Sequence, residues 1–459
     1  MTAEPSPQEL VERALGLSRT DGCVVIAEEV VTANLRWAAN TLTTNGIARD
    51  RQVTVIAVSG EAAGVVSRQD VTVDSLEETV RDAERTARAA TPSEDRGPLV
   101  SGSARGWETP PAESSIGVFA GLAPALGDAF ERAGASRHLL FGYAEHEVRT
   151  TYVGTSAGLR VRHEQPTGHL EINAKSDDHD RSAWAGVPAA TFAGVDVEAL
   201  TGGLAERLAW AERRVSLPPG RYETILPPSA VADLMISLYW SAGARDAHDG
   251  RTVFSRPGGG TRVGDRLGDV ALSLRSDPAD TRLRCAPFVV AHESSAMQSV
   301  YDNGFGLAPT AWIADGTLAA LVQTRHSAQM TGLAVTPYVD NLIVDGAACG
   351  PAGVDAMIGR TERGLLLTCL WYIREVDPQT LLLTGLTRDG VYLVEGGEVV
   401  GAVNNFRFNE SPVDVLGRVV EAGSSGPTLP REWCDYFTRT AMPPLRVADF
   451  NMSSVSRAI

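Results

Sequence analysis

Leu10, Ala14 and Leu17 recur at helical spacing behind Ser6-Pro7-Gln8-Glu9, a capping box with proline in the first turn, so the chain is predicted to open with a helix. The pattern then changes to β-branched runs. Between residues 23 and 46, Val24, Val25, Ile26, Val30 and Val31, then Leu35, Trp37 and Leu42, predict strands with a turn around 32 to 34, and Asn45-Gly46 reads as the closing turn. A second hairpin is expected over residues 53–58 and 62–67 about Ser59-Gly60. Ser75-Leu76-Glu77-Glu78 then caps a helix that buries Leu76, Val80, Ala83 and Ala87 on one stripe.

Residues 91–115, rich in Pro, Ser, Gly and charge, predict a surface loop. A helix over about 117–134 follows, then strands near 138–153 and 158–174 flanking the turn Gly154 to Gly158, then a helix over about 197–214. Leu217-Pro218-Pro219-Gly220 is the sharpest compositional break, and it sets the expected domain boundary. Residues 1–216 should form an N-terminal helix-and-antiparallel-sheet domain. Residues 217–459 should form a mostly β domain, barrel-like or a curved sheet, with a strand at 221–226, a helix from about Ser229 and short strands reaching almost to the end. Without regular βαβ alternation, the fold class is α+β.

Charge and cysteine content narrow the possible partners. The formal charge of −16 over 459 residues opposes nucleic-acid binding, which rests on Lys and Arg neutralising phosphates. No apolar stretch approaches the roughly 18 residues of a membrane span, and the acidic, proline-containing start is unlike a secretory signal, so a cytoplasmic location is expected. Cys23, Cys285, Cys349, Cys369 and Cys434 are odd in number and scattered, which predicts reduced thiols instead of a disulfide framework or zinc ribbon.

Three His-Glu pairs, His146-Glu147, His163-Glu164 and His292-Glu293, lack the second histidine one helical turn on that a zincin needs. They are read as ordinary surface or hydrogen-bonded residues. His163 and His169 would share one strand face but lie about 20 Å apart along an extended chain. Gly154-Thr155-Ser156-Ala157-Gly158 matches GxSxG, yet the alternation after it predicts a strand, so it is read as a hairpin turn and not a nucleophile elbow. Arg256-Pro257-Gly258-Gly259-Gly260 lacks the GK[ST] ending of a phosphate loop and reads as a flexible loop.

Several segments nevertheless occur in a familiar order: Leu35 to Asn40 with Asn45-Gly46; Val153 to Arg162; Arg221 to Leu234; Asp302-Asn303-Gly304 with Pro309-Thr310 and Asp315-Gly316; Arg363-Gly364 to Glu395-Gly396-Gly397; and Pro443 to Val447. In these the chain resembles the TldD/PmbA family over nearly its full length, and in particular the PmbA (TldE) branch. The resemblance implies a two-subunit cytoplasmic metallopeptidase in which a TldD-type partner holds zinc through an HExxxH helix and a later cysteine. Here Pro228 and Ser229 stand where the His-Glu pair would be, and Asp233 where the second histidine would be. No histidine lies between His179 and His248. The resemblance therefore implies no catalytic residue, metal ligand or cofactor in this chain, with zinc in the partner. Ser229, Asp233, Trp371, Tyr372 and Cys434, the last near the family's cysteine ligand, are expected to line a cleft or interface. Expected partners are a TldD-type subunit or a second copy, and a peptide substrate. The alternatives are a non-enzymatic homodimeric binding or assembly protein, and a specialised hydrolase maturing a peptide-like metabolite.

Overall fold

The computed structural model describes residues 5–103 and 106–456. Six antiparallel strands form the first sheet, in the order Ala62–Gln69, Thr41–Ser59, Gly22–Ala38, His138–Thr155, Arg160–Ser176, Ser182–Pro188. Helices Pro7–Leu17, Val73–Ala89, Leu122–Ala135 and Val197–Trp210 cover one face of it. That face is made by alternate residues, Cys23, Val25, Ala27, Ala33, Leu35 and Trp37 on the central strand, as a half-buried period of two requires. The first helix carries its expected capping box, with Ser6 Oγ accepting from the Glu9 amide. In the second helix Thr72 is the cap, and Ser75 closes the box from inside the first turn.

Two expectations about the first ribbon are corrected. Gly22–Ala38 runs without a turn at 32–34, and Asn45 and Gly46 lie inside the next strand, paired with Leu35 and Asn34. The turn falls instead at Ala39-Asn40, both at positive φ (48° and 61°). Asn tolerates this backbone well, and its side chain fixes the turn by accepting from the Leu140 amide and donating to the His138 carbonyl. The sequence reading also omits the edge strand Ser182–Pro188. The helix expected over 117–134 is divided into a short 3₁₀ turn, Ile116–Phe119, and the helix Leu122–Ala135.

The remaining described residues build two open, curved sheets and no closed barrel. A large sheet runs Leu370–Asp377, Leu382–Thr387, Phe406–Glu410, Leu445–Val455, Gly220–Leu226, Arg363–Leu367, Val391–Glu395, Glu398–Val403, Arg214–Val215, with Val419–Ala422 also pairing to Leu445–Val455. The smaller sheet runs Thr317–Leu318, Thr310–Ala314, Ser273–Ser276, Leu342–Asp345, Thr440–Met442, Gly426–Thr428. Strands are fewer than expected here, because residues 277–309 are held chiefly by turns and side chains, such as Asn303 bonding both ways to the Ala291 backbone. The helix Pro228–Trp240 lies in the largest apolar core and buries Ala230 to Tyr239 continuously. An all-round apolar surface is the signature of an interior helix.

Candidate functional site in the cleft between the two halves

The second face of the first sheet meets the later part of the chain. Val24, Ile26, Ile56 and Val153 pack there on Phe288, Val300 and Tyr301. Beside this contact the surfaces part around a cavity of about 480 Å³, with Glu28, Arg149, Thr151, His163 and His169 of the sheet on one side and segments 286–307 and 434–439 on the other.

Its polar groups are tied across the junction. His292 places Nδ1 3.1 Å from Thr54 Oγ1 and Nε2 3.2 Å from the Glu28 carboxylate, which also accepts from Thr151 at 3.0 Å and lies 3.6 Å from Arg149. Burial raises the Glu28 carboxyl, but His292, Arg149 and Thr151 outweigh it and hold the group below its ordinary value. Burial pushes the His163 imidazole down, and its Nε2 meets Gln165 at 2.9 Å. Arg439 joins the halves by donating to Thr167 at 2.8 Å while pairing with Asp340. His146 faces away from the cleft, bonded to Ser114 and the Ala190 carbonyl. Sequence spacing could not bring His163, His169 and His292 together, because register and a contact across more than 100 residues do so. Among the described residues no three His, Cys, Asp or Glu side chains converge as ligands for one metal ion.

Cys434 lines the cleft, and the segment 431–434 that carries it brings together three of the residues singled out by sequence. Asp233 is fully buried, and its carboxylate accepts from the amides of Glu432 (2.9 Å) and Arg431 (3.3 Å). Trp433 Nε1 donates to the Asp233 carbonyl at 3.0 Å. Burial drives the Asp233 carboxyl well above the usual range, the amide bonds opposing. Arg431, so positioned, stacks its guanidinium 4.3 Å from the Trp371 ring centre and 5.1 Å from that of Trp184, and pairs with Glu171 at 3.2 Å. Cys434 is buried, 3.8 Å from the Glu171 carboxylate, and burial pushes its thiol strongly upward. Asp233, Trp371 and Cys434 therefore belong to one cluster. Tyr372 points outward, 55% exposed, while its amide donates to Glu432 at 3.0 Å, and Ser229 is half-buried in the first turn of the Asp233 helix. Ser156 of the GxSxG match sits in the hairpin turn and accepts from the Cys23 amide at 3.0 Å.

The sequence profile of the PmbA/TldA metallopeptidase C-terminal domain matches residues 219–454, and that of PmbA/TldA metallopeptidase domain 1 matches residues 23–87. No curated protein sequence matches the chain. Among solved structures, TldE from Thermococcus kodakarensis superposes with a TM-score of 0.79 at 15% identity, over 96% of this chain and 98% of that one. A Thermotoga maritima protein described as a candidate modulator of a DNA gyrase gives 0.76 at 17% identity, covering 97% and 99%. A Bacteroides thetaiotaomicron protein with a similar description gives 0.75 at 14%, covering 98% of each. With one profile spanning half of the sequence and a second matching near its start, the chain belongs to the TldD/PmbA metallopeptidase family and resembles TldE.

Proposed function

We infer that the chain is a metal-free, TldE-type subunit of a cytoplasmic metallopeptidase complex, shaping the peptide cleft while a TldD-type partner supplies zinc and the water-activating glutamate. The observation that carries this reading is Asp233. It stands where the resemblance puts the second zinc-binding histidine, and both its carboxylate oxygens are engaged by backbone amides. A catalytic zinc takes about three protein ligands and one open position. A buried carboxylate so engaged, with one thiol held high by burial, is a poor substitute for two imidazoles. This chain's own groups would orient the peptide: Glu28, His292 and Arg439 present fixed charge and hydrogen-bond capacity inside the cleft.

Elemental analysis and peptide hydrolysis, with and without a co-expressed TldD-type chain, test the reading. The isolated chain should hold zinc at background and cleave nothing, and the complex should gain both. Stoichiometric zinc with chelator-sensitive hydrolysis by the isolated chain would overturn it.

A further inference from the structure

Among the described residues only two aromatic side chains are largely open to water, Tyr372 and Tyr436, the latter 75% exposed, and one strip of side chains joins them. Tyr436 and the half-buried Tyr338 line the cleft. From there the strip continues over two part-buried indoles. Trp240 donates Nε1 to the Tyr338 hydroxyl at 3.4 Å and sets its ring 5.0 Å from that of Trp433, the residue after Glu432. The Glu432 carboxylate in turn accepts from the Tyr372 and Ile373 amides, both at 3.0 Å. Val376, also exposed, lies on the same strand, Leu370–Asp377, which is an edge of the large sheet.

Tyr372 is held there under strain. Its φ is 51°, in the left-handed region that a bulky side chain rarely adopts. The strand is irregular at this point, its register to Leu382–Thr387 shifting between Trp371 and Arg374, and Glu432 fixes the distorted backbone through the two amides. As a result Trp371 turns in against Arg431 while Tyr372 turns out. Enforced backbone strain clusters at functional positions, and here it sets an aromatic ring in water, against the hydrophobic effect as well. Tyr and Trp are the residues that anchor protein interfaces, and the open strand edge adds unpaired backbone groups. We propose that this strip is the docking surface of the zinc-bearing partner, with Tyr372 and Tyr436 as its anchors. The assignment rests on the subunit reading: a partner that brings zinc to a peptide in this cleft must cover the cleft's rim, and the strip is continuous with that rim at Tyr436. A second copy is the less suited occupant, because a net charge of −16 on each chain opposes self-association.

Isothermal titration between the separately purified full chain and a TldD-type chain tests this, with light scattering and melting curves of the isolated variants alongside. Tyr436→Ala should weaken association at least about tenfold, the loss expected for an interface anchor. Tyr372→Gly is the diagnostic change. Glycine accepts a φ of 51°, so the isolated variant should melt no lower than wild type while its affinity for the partner also falls at least about tenfold. A tyrosine with a purely structural role would instead lower the melting temperature and leave affinity unchanged. That result, or unchanged affinity in both variants, would overturn the proposal. An isolated chain that is dimeric, and made monomeric by either substitution, would reassign the strip to a second copy and overturn it too. No association between the wild-type chains would refute the subunit reading together with this surface, whereas association that survives both substitutions would refute the surface alone.

Discussion

Replacing Asp233 with alanine removes the acceptor for two buried amides, those of Arg431 and Glu432. Each orphaned amide costs about 1–3 kcal/mol, which sets a ceiling of about 6 kcal/mol. Two effects reduce it. Trp433 still donates to the residue-233 backbone carbonyl, and removing a carboxyl whose charge is disfavoured by burial returns part of the loss. The expected destabilisation is therefore about 2–3 kcal/mol, or about 5–10 °C in melting temperature for a unit of this size. The pH dependence has a definite sign. A carboxyl raised in the folded state carries no ionisation penalty below its ordinary value, and the penalty grows as pH rises towards the folded value. The gap between wild type and Asp233→Ala should accordingly be wider at pH 5 than at pH 8. Differential scanning fluorimetry measures it, and the rate at which a thiol reagent labels Cys434 supplies a local readout, since release of 431–434 uncovers a side chain now only 6% exposed. A melting point within 1 °C of wild type at both pH values, with Cys434 equally protected, would refute the anchoring role of Asp233.

Glu28→Gln should remove stability that is present above the ordinary carboxylate value of 4.5 and lost as pH falls through the lower folded value, so melting curves of variant and wild type should converge in acid. Gly64→Ala should destabilise by about 3 kcal/mol or more, measured by urea unfolding, because a Cβ there would lie 2.1 Å from the Ala87 amide nitrogen and 2.4 Å from the Ala83 carbonyl oxygen, both helix backbone. In native protein Cys349, the one half-buried thiol, should react first with a thiol reagent, and Cys349→Ser should remove that phase; Cys285 and Cys369, pushed up to about 12 by burial, should stay silent until unfolding.

Legibility in the sequence followed the range of the interaction responsible. The Ser6 cap, the Gly60 hairpin and the Leu76-Val80-Ala83-Ala87 stripe depend on residues a few positions apart, and they stand as read. The Ala39-Asn40 turn was hidden because the strand beyond it, from Thr41 to Asp50, is almost wholly exposed, so no in-out alternation marks the register, and Asn45-Gly46 offered a stronger local turn signal. A helix from about Ser229 was recognisable, but its depth was not; Ala230 to Tyr239 are buried on every side because sheets and the 431–434 segment surround Pro228–Trp240. The cleft itself was the least accessible feature. His292 reaches Glu28 and Thr54 from more than 230 residues away, a meeting that no local spacing encodes.

The strand Leu445–Val455 is the last strand of the large sheet in chain order, yet it lies inside that sheet, between Gly220–Leu226 and Phe406–Glu410. Its pairing with Gly220–Leu226 closes a loop of more than 200 residues, a high-contact-order step that slows assembly. During synthesis at about 5–20 residues per second, Gly220–Leu226 waits on the order of ten seconds or more for this neighbour, after the strands of the first sheet have all left the ribosome. A nascent chain in that interval presents two unpaired strand edges, and protection by a chaperone or a slow translation rate has its greatest leverage there.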